Sequence, residues 1–112
     1  MSMFLRATGT TGAIATTLVL DPERRFQLRE VRLHLDAAGG GAGDVNFTAT
    51  VDSAAGATYD FLMITQDMTL VTDYLYQPTV PLVFNLGDEI DFAYANAGNA
   101  TYGLEVIYDI LV

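Results

Sequence analysis

Alternation of apolar and polar residues is the dominant pattern along this chain, and it is clearest from Phe26 to Asp52. Residues 45–52 place apolar side chains on one phase and polar ones on the other, which is typical of a strand with one buried face. In residues 26–35 the phase slips after Leu28, and we expect a β-bulge there. The glycine-rich segment 37–43 predicts a loop, so the two flanking strands are expected to form a central hairpin.

Shorter β-prone segments surround this region. The further predicted strands are residues 13–20, 59–64, 82–86, 90–94 and 102–110. Residues 59–64 are apolar on both phases, so this strand is expected to be buried on both sides or to lie under a loop. Residues 67–76 fit either a strand or an irregular crossover. Asn96–Asn99 contains residues that accept positive φ angles, and it is expected to close a hairpin between the last two strands.

The count is about eight strands at roughly ten-residue spacing, with turn signals between them. This pattern predicts an all-β fold, either an antiparallel β-sandwich of jelly-roll type or a barrel, and we favour the sandwich. The length of 112 residues suits a single domain over residues 1–112 with one core. Residues 1–7 are expected to form an N-terminal arm or an edge strand.

The charge of the chain is unevenly distributed. The net charge is −9, lysine is absent, and eleven acids follow the last basic residue. The basic residues are Arg6, Arg24, Arg25, Arg29 and Arg32. The negative sign argues against nucleic-acid binding by phosphate neutralisation. Two interpretations of the asymmetry stay open: a genome or habitat that favours acidic surfaces, or charge complementarity between an arginine-bearing face and an acidic face of a neighbouring copy.

Several classes of protein are disfavoured by what the sequence contains. No apolar run approaches the roughly 18 residues of a membrane span, so no membrane association is expected. The first residues do not resemble a secretory signal peptide, and we expect no export by that route. Cysteine is absent, which excludes disulfides and thiolate metal sites.

Candidate catalytic and metal-binding residues are few. His34 is the one histidine, and beside Asp36 it fits a surface position better than a catalytic triad. Glu89 and Asp91 share one face of a predicted strand, but no calcium-loop spacing occurs, and solvated acids are favoured over a structural calcium site. We therefore expect no enzymatic activity, no cofactor and no bound metal.

The six tyrosines admit two interpretations. They could form a sugar-binding platform, but such residues more often pack in a sandwich with their hydroxyl groups at its rim. They are Tyr59, Tyr74, Tyr76, Tyr94, Tyr102 and Tyr108.

Several strand and turn motifs resemble those of one protein group. The motifs are Leu28–Leu35, Tyr59-Asp60, Thr65–Met68, Tyr76-Gln77-Pro78 with Pro81, Gly87–Ile90 and Tyr102–Val106. Together they resemble small β-sandwich virion proteins of tailed bacteriophages, over residues 26–108. The resemblance implies a capsid decoration or cement protein, bound at junctions between major capsid subunits and often trimeric. The resemblance assigns no catalytic or ligand-binding role to any residue of this chain.

We therefore expect a non-enzymatic virion protein, made in the host cytoplasm and placed on the capsid exterior. Its expected partners are the major capsid protein and further copies of itself, with a trimer favoured. The expected contact residues are Met3, Phe4, Leu5, Arg6, Arg24 and Arg25, although residues 3–6 could equally add an edge strand to their own sheet. The alternatives are a carbohydrate- or receptor-binding jelly-roll module and a tail or neck component of the same virion.

Overall fold

The computed structural model describes residues 1–39 and 45–112, and these residues form two antiparallel sheets. The strands are β1 (Ser2–Gly9), β2 (Ile14–Leu18), β3 (Phe26–Leu35), β4 (Asn46–Asp52), β5 (Phe61–Asp67), β6 (Asp73–Tyr76), β7 (Leu82–Phe84), β8 (Glu89–Tyr94) and β9 (Tyr102–Ile110). A short 3₁₀ turn occupies Ala57–Tyr59. Within the described ranges, no helix is long and apolar enough to cross a membrane.

The strand order is that of a jelly roll. Sheet A has the order β1-β9-β3-β6 with β7 also paired to β3, and sheet B has the order β2-β8-β4-β5. Five pairings fold the chain as one long antiparallel hairpin: β4 with β5, β3 with β6, β3 with β7, β2 with β8, and β1 with β9. Rolling this hairpin into a sandwich produces the jelly-roll topology. The predicted fold class is confirmed.

The nine strands fill eight positions. Strand β6 pairs with residues 31–34 of β3, and β7 pairs with residues 26–28, so both lie along the same edge of sheet A. Pro78 and Pro81 lie between them, and proline cannot donate a hydrogen bond to a sheet ladder. The prolines therefore divide one edge strand into two short ones.

The β-bulge expected after Leu28 is present. The pairing of β3 with β9 shifts register between Leu28 and Glu30, and both Leu28 and Val31 are buried on the core face. The bulge lets apolar side chains on either side of the slip reach the same core. Arg29 is exposed at the bulge, with its Nη1 atom 3.4 Å from Oδ2 of Asp109.

Both predicted hairpins are wrong. Strands β3 and β4 lie in different sheets, so Phe26–Asp52 is a crossover between sheets, and residues 40–44 of its loop lie outside the described residues. Strands β8 and β9 also lie in different sheets, and Asn96–Asn99 crosses between them. The backbone of this turn matches expectation, with φ of 53° at Asn96 and 54° at Asn99. Alternation identifies the buried face of a strand, but it does not identify the paired strand.

The strand predicted at residues 59–64 is only partly buried, with Ile64 in the core and the residues before Met63 exposed. Strand β5 is the outermost strand of sheet B, where Phe61 is 51 % and Leu62 57 % exposed. The ambiguous segment 67–76 combines both interpretations: residues 68–72 cross between the sheets, and β6 follows. The buried Met68 anchors this crossover to the core.

Aromatic side chains join the two sheets in the core. Phe47 of sheet B contacts Phe92 at 6.3 Å between ring centroids and meets Tyr74 of sheet A edge-on at 6.2 Å. Phe26 stacks on Phe84 at 5.0 Å within sheet A. Such contacts add to the apolar burial that stabilises a sandwich of this size.

Candidate interaction surfaces

The predicted contact residues at the N-terminus lie in β1, the outermost strand of sheet A. All eight residues of β1 pair in register with β9, so they form an edge strand and not a free arm. Leu5 packs against the core, whereas Met3 is partly exposed and Phe4 is 49 % exposed. The guanidinium of Arg6 lies over the Phe4 ring, with 4.9 Å between Cζ and the ring centroid. This edge therefore presents an aromatic side chain and a cation together.

Arg24 and Arg25 lie in the exposed loop between β2 and β3. The carbonyl of Arg25 accepts a hydrogen bond from the Leu111 amide at 2.9 Å, which ties the loop to the end of β9. Neither guanidinium pairs with an acid among residues 1–39 and 45–112. Ser2 and Gln27 both lie beside Asp109 of β9, so the start of β1 and this loop occupy the same end of sheet A. The fold thus brings the two predicted contact regions to one end.

A charged network crosses the outer face of sheet A. Glu105 accepts hydrogen bonds from Arg6 Nε at 2.5 Å and from Arg32 Nη1 at 2.9 Å. Arg32 also contacts Glu30, which accepts a hydrogen bond from Gln77 Nε2 at 2.6 Å. The hydrogen bond from Arg6 is the main reason that the pKa of Glu105 lies below its ordinary value, with both arginine charges adding to it. The network holds side chains of four neighbouring elements in place.

A depression of about 680 Å³ lies beside this network. Gly103 of β9 forms its floor, where a Cβ atom would meet no atom within 4 Å. Thr8 and His34 flank Gly103 in register on the neighbouring strands, and Arg6 and Leu75 contribute to the walls. The depression exists because the middle strand lacks a side chain where both neighbours carry one. Sequence reasoning missed it, since it depends on the register of three strands.

His34 forms a pair with Asp73 at the rim of the depression. The distance from Nδ1 to Oδ1 is 2.6 Å, and hydrogen bonds from His34 and then Thr72 lower the pKa of Asp73. Of two hydroxyl groups beside the pair, that of Thr8 donates to the Tyr102 carbonyl at 2.8 Å and that of Thr72 donates to Asp73 Oδ2 at 3.0 Å. No serine or threonine hydroxyl in the described part of the chain bonds to His34, so the pair lacks the nucleophile that a triad requires.

The acids and tyrosines that were candidates for calcium or sugar binding lie at scattered positions among the described residues. Within the described ranges, no cluster of three or more acidic, histidine or cysteine side chains could hold a metal ion. Glu89 and Asp91 do share the outer face of β8, as predicted. Of the six tyrosines, Tyr94 and Tyr108 are buried, Tyr59 is exposed, and the other three are half-buried. Five of the six therefore fit the core-or-rim interpretation.

Charge is divided between the two sheets. The strands of sheet A carry three arginines (Arg6, Arg29 and Arg32) and four acids (Glu30, Asp73, Glu105 and Asp109). The strands of sheet B carry four acids (Asp52, Asp67, Glu89 and Asp91) and no basic residue. The outer face of sheet B is therefore acidic, whereas on sheet A the arginines largely offset the acids. By these counts the strands of sheet A carry a net charge of −1 and those of sheet B a net charge of −4, so sheet B is the more acidic of the two.

A second apolar edge lies along β5. Phe61 and Leu62 are exposed on this strand, and Tyr59 is exposed just before it. Burial of this strand on both sides, or under a loop, was predicted because apolar side chains occupy both faces of the alternating pattern. Leu70, in the crossover that follows, is 88 % exposed and has a φ of 61°, which is uncommon for a branched residue. This side of the sandwich thus presents several large apolar side chains to solvent.

Comparisons with known proteins add no assignment: neither a protein-family model nor a curated protein matches the chain.

Proposed function

We propose that the chain is a non-enzymatic virion structural protein that decorates the exterior of a bacteriophage capsid and binds both the major capsid protein and further copies of itself. The resemblance of its strand and turn motifs to small virion proteins motivates this proposal. The jelly-roll fold is compatible with it, because this fold is frequent among capsid proteins, although it also occurs in lectins and cupins.

One observation carries the proposal. Arg24 and Arg25 are exposed, bound to no acid among the described residues, and located at the end of sheet A where β1 begins. This loop, which also contains Asp21 and Glu23, presents two exposed guanidinium groups in a chain with a net charge of −9. These guanidinium groups suit an acidic surface on the capsid.

The mechanism is attachment through several weak contacts. Each copy would bridge neighbouring capsid subunits, and a trimer would present three equivalent loops to a threefold junction. Linked contacts raise overall affinity by about 10²–10⁴ over a single contact without any new chemistry. Head expansion or heating would then have to break all of the contacts together.

The test is co-sedimentation of the protein with undecorated capsids assembled from the major capsid protein encoded with it. The wild-type chain should bind saturably. Replacing Arg24 and Arg25 with glutamate should abolish binding, and replacing both with glutamine should weaken it, while the circular dichroism spectrum stays unchanged. Unchanged particle binding by the glutamate variant would refute the role of this loop.

A charge-matched control separates the loop from net charge. The double variant Ala15→Glu/Thr48→Glu adds two negative charges to the outer face of sheet B, which is the same net change as replacing both arginines with glutamine. It should bind capsids as the wild type does. Equal loss of binding in both variants would indicate general repulsion instead of a specific contact.

The depression at Gly103 favours a second candidate, a carbohydrate-binding module. Its rim offers donors and acceptors from Thr8, Arg32, His34 and Asp73, which is the chemistry that sugar hydroxyls need. Binding of a glycan to the wild type, and its loss in Gly103→Val, would support this candidate.

Electron microscopy of labelled virions separates a head position from a tail or neck position.

A further inference from the structure

Two long strands form sheet edges in the described part of the chain, and one of them, β5, has a bulge at Met63, where its pairing with β4 shifts register. Strand β1 has eight residues and β5 has seven, and neither contains proline. The remaining edge strands are shorter: β2 has five residues, β6 four and β7 three, and prolines separate the last two. Short strands and prolines are common devices against edge-to-edge pairing, so β1 and β5 are the edges most open to another chain.

These two edges carry opposite charge. Strand β1 contains Arg6 and no acid. Strand β5 contains Asp67, directly follows Asp60, and carries no basic residue. The Arg6 side chain is 69 % exposed, and among its described contacts with acids only Nε is engaged, with Glu105. Its two terminal nitrogens remain available to a carboxylate of a neighbouring chain.

Both edges also expose aromatic and aliphatic side chains. Met3 and Phe4 are exposed on β1, and Phe61 and Leu62 are exposed on β5. Pairing two such edges would bury these side chains and satisfy free backbone groups at the same time. This is the physical basis of recognition by strand addition.

The two edges lie on opposite sides of the sandwich. Residues 10–13 join β1 to β2, which places β2 next to β1 at one side of the molecule. Strand β5 is at the far end of sheet B from β2. A contact between β1 of one copy and β5 of the next is therefore heterologous, and such contacts generate closed rings when the rotation between copies closes.

We infer that the β1 edge of one copy docks on the β5 edge of a neighbouring copy, and that three such contacts close a ring. The inference deepens the proposed function and rests on it for the number three. The occupant of each edge is a second copy of this chain, selected by the meeting of Arg6 with Asp60 when Phe4 lies opposite Leu62 in an antiparallel pairing. Strand pairing across this contact would join sheet A of one copy to sheet B of the next.

Sign-dependent substitutions at exposed positions test the contact by light scattering after size exclusion. The wild type should have three times the 12.1 kDa mass of the chain. Leu62→Arg places a second cation near Arg6 and should weaken the ring more than Leu62→Glu does. On dilution, the ring of Leu62→Arg should dissociate at a protein concentration roughly 10-fold higher than the ring of Leu62→Glu. Phe4→Glu should weaken the ring, and the double variant Phe4→Glu/Leu62→Arg should restore it in part. Val80→Arg, at an exposed position outside both edges, is the control.

Cross-linking keeps the inference testable if a charged variant fails to fold. The chain contains no cysteine, so thiols can be placed without background. With a short bismaleimide, Phe4→Cys/Leu62→Cys should give covalent species that end at three chains, while each single cysteine variant should give none. Dimers from Phe4→Cys alone, or a monomeric wild type at millimolar concentration, would overturn the inference.

The outcome for the ring is distinguishable from that for the proposed function. If the wild type binds capsids but shows no contact between β1 and β5, the inferred ring is wrong and the proposed function stands. If the ring forms through these edges but binds no capsid, the inferred contact stands and the proposed function is wrong.

Discussion

Arg6 of β1 and Glu105 of β9 face each other across the edge of sheet A, with 2.5 Å between Nε and Oε2. This contact connects the outermost strand to the network that continues through Arg32 to Glu30. Exposed ion pairs contribute little individually, so the effect of the contact is to hold β1 in register more than to stabilise the whole fold.

The first prediction concerns acid sensitivity. Because the folded-state pKa of Glu105 lies below its ordinary value of 4.5, the charged form stabilises the fold above pH 4.5. This contribution is lost as the pH falls through the lowered pKa. Urea unfolding at pH 6, 4 and 3 should show a decline in the free energy of unfolding that is shallower in Glu105→Gln. Equal declines in the two proteins would contradict the assignment.

The second prediction compares two glycines. A Cβ on Gly39 would lie 3.0 Å from the Met68 carbonyl oxygen and overlap the Tyr94 hydroxyl, whereas a Cβ on Gly103 would meet nothing within 4 Å. Gly39→Ala should therefore lower the free energy of unfolding by about 1–3 kcal/mol. Gly103→Ala should raise it by about 0.5–1 kcal/mol, since alanine suits a strand better than glycine. Similar effects from the two substitutions would show that the close approach at Gly39 is wrong.

The third prediction concerns the buried side chain of Asn96. Its Nδ2 donates to the Gly12 carbonyl at 2.8 Å and to the Ala100 carbonyl at 3.0 Å, and its Oδ1 accepts from the Ala100 amide at 2.9 Å. The side chain thereby joins the β1–β2 turn to the β8–β9 crossover. Asn96→Ala should cost about 2–4 kcal/mol of unfolding free energy, because buried partners lose their hydrogen bonds. A cost below 1 kcal/mol, on the scale of an exposed substitution such as Asn46→Ala, would contradict this role.

The fourth prediction concerns Leu70. Its φ of 61° is unfavourable for a side chain with a Cβ atom, and little apolar burial is lost on truncation because the residue is 88 % exposed. Leu70→Gly should raise the free energy of unfolding by about 0.5–1 kcal/mol. Leu70→Ala retains the unfavourable backbone and should change it by less than about 0.5 kcal/mol. Destabilisation by the glycine variant in thermal or urea unfolding would argue against this backbone geometry.

Alternation along the chain was sufficient to predict the fold class and several local details. The phase slip after Leu28 predicted the bulge, and the residues at Asn96–Asn99 predicted positive φ angles. Pairing was not predictable in the same way. Strand β3 lies between β9 and the β6–β7 edge, all far along the chain, because in a jelly roll the two halves of the chain pair from its middle outwards.

The surfaces were less predictable than the fold. The sequence suggested Arg24 and Arg25 as contact residues, and the structure places both in an exposed loop. The network from Arg6 to Glu30 and the depression over Gly103 depend on which strands are neighbours, and no periodicity carries that information. Phe61 and Leu62 were expected to be buried because of their apolar character, but β5 has no strand beyond it.

A saturation titration of the protein on undecorated capsids tests whether it is a decoration protein. The bound mass should saturate at a fixed ratio to the capsid subunit, and added salt should weaken binding because exposed arginines contribute to it. The expected ratio is the one that the symmetry of the capsid lattice sets. Binding that does not saturate, or no binding at low salt, would contradict the claim that this jelly roll is a capsid decoration protein.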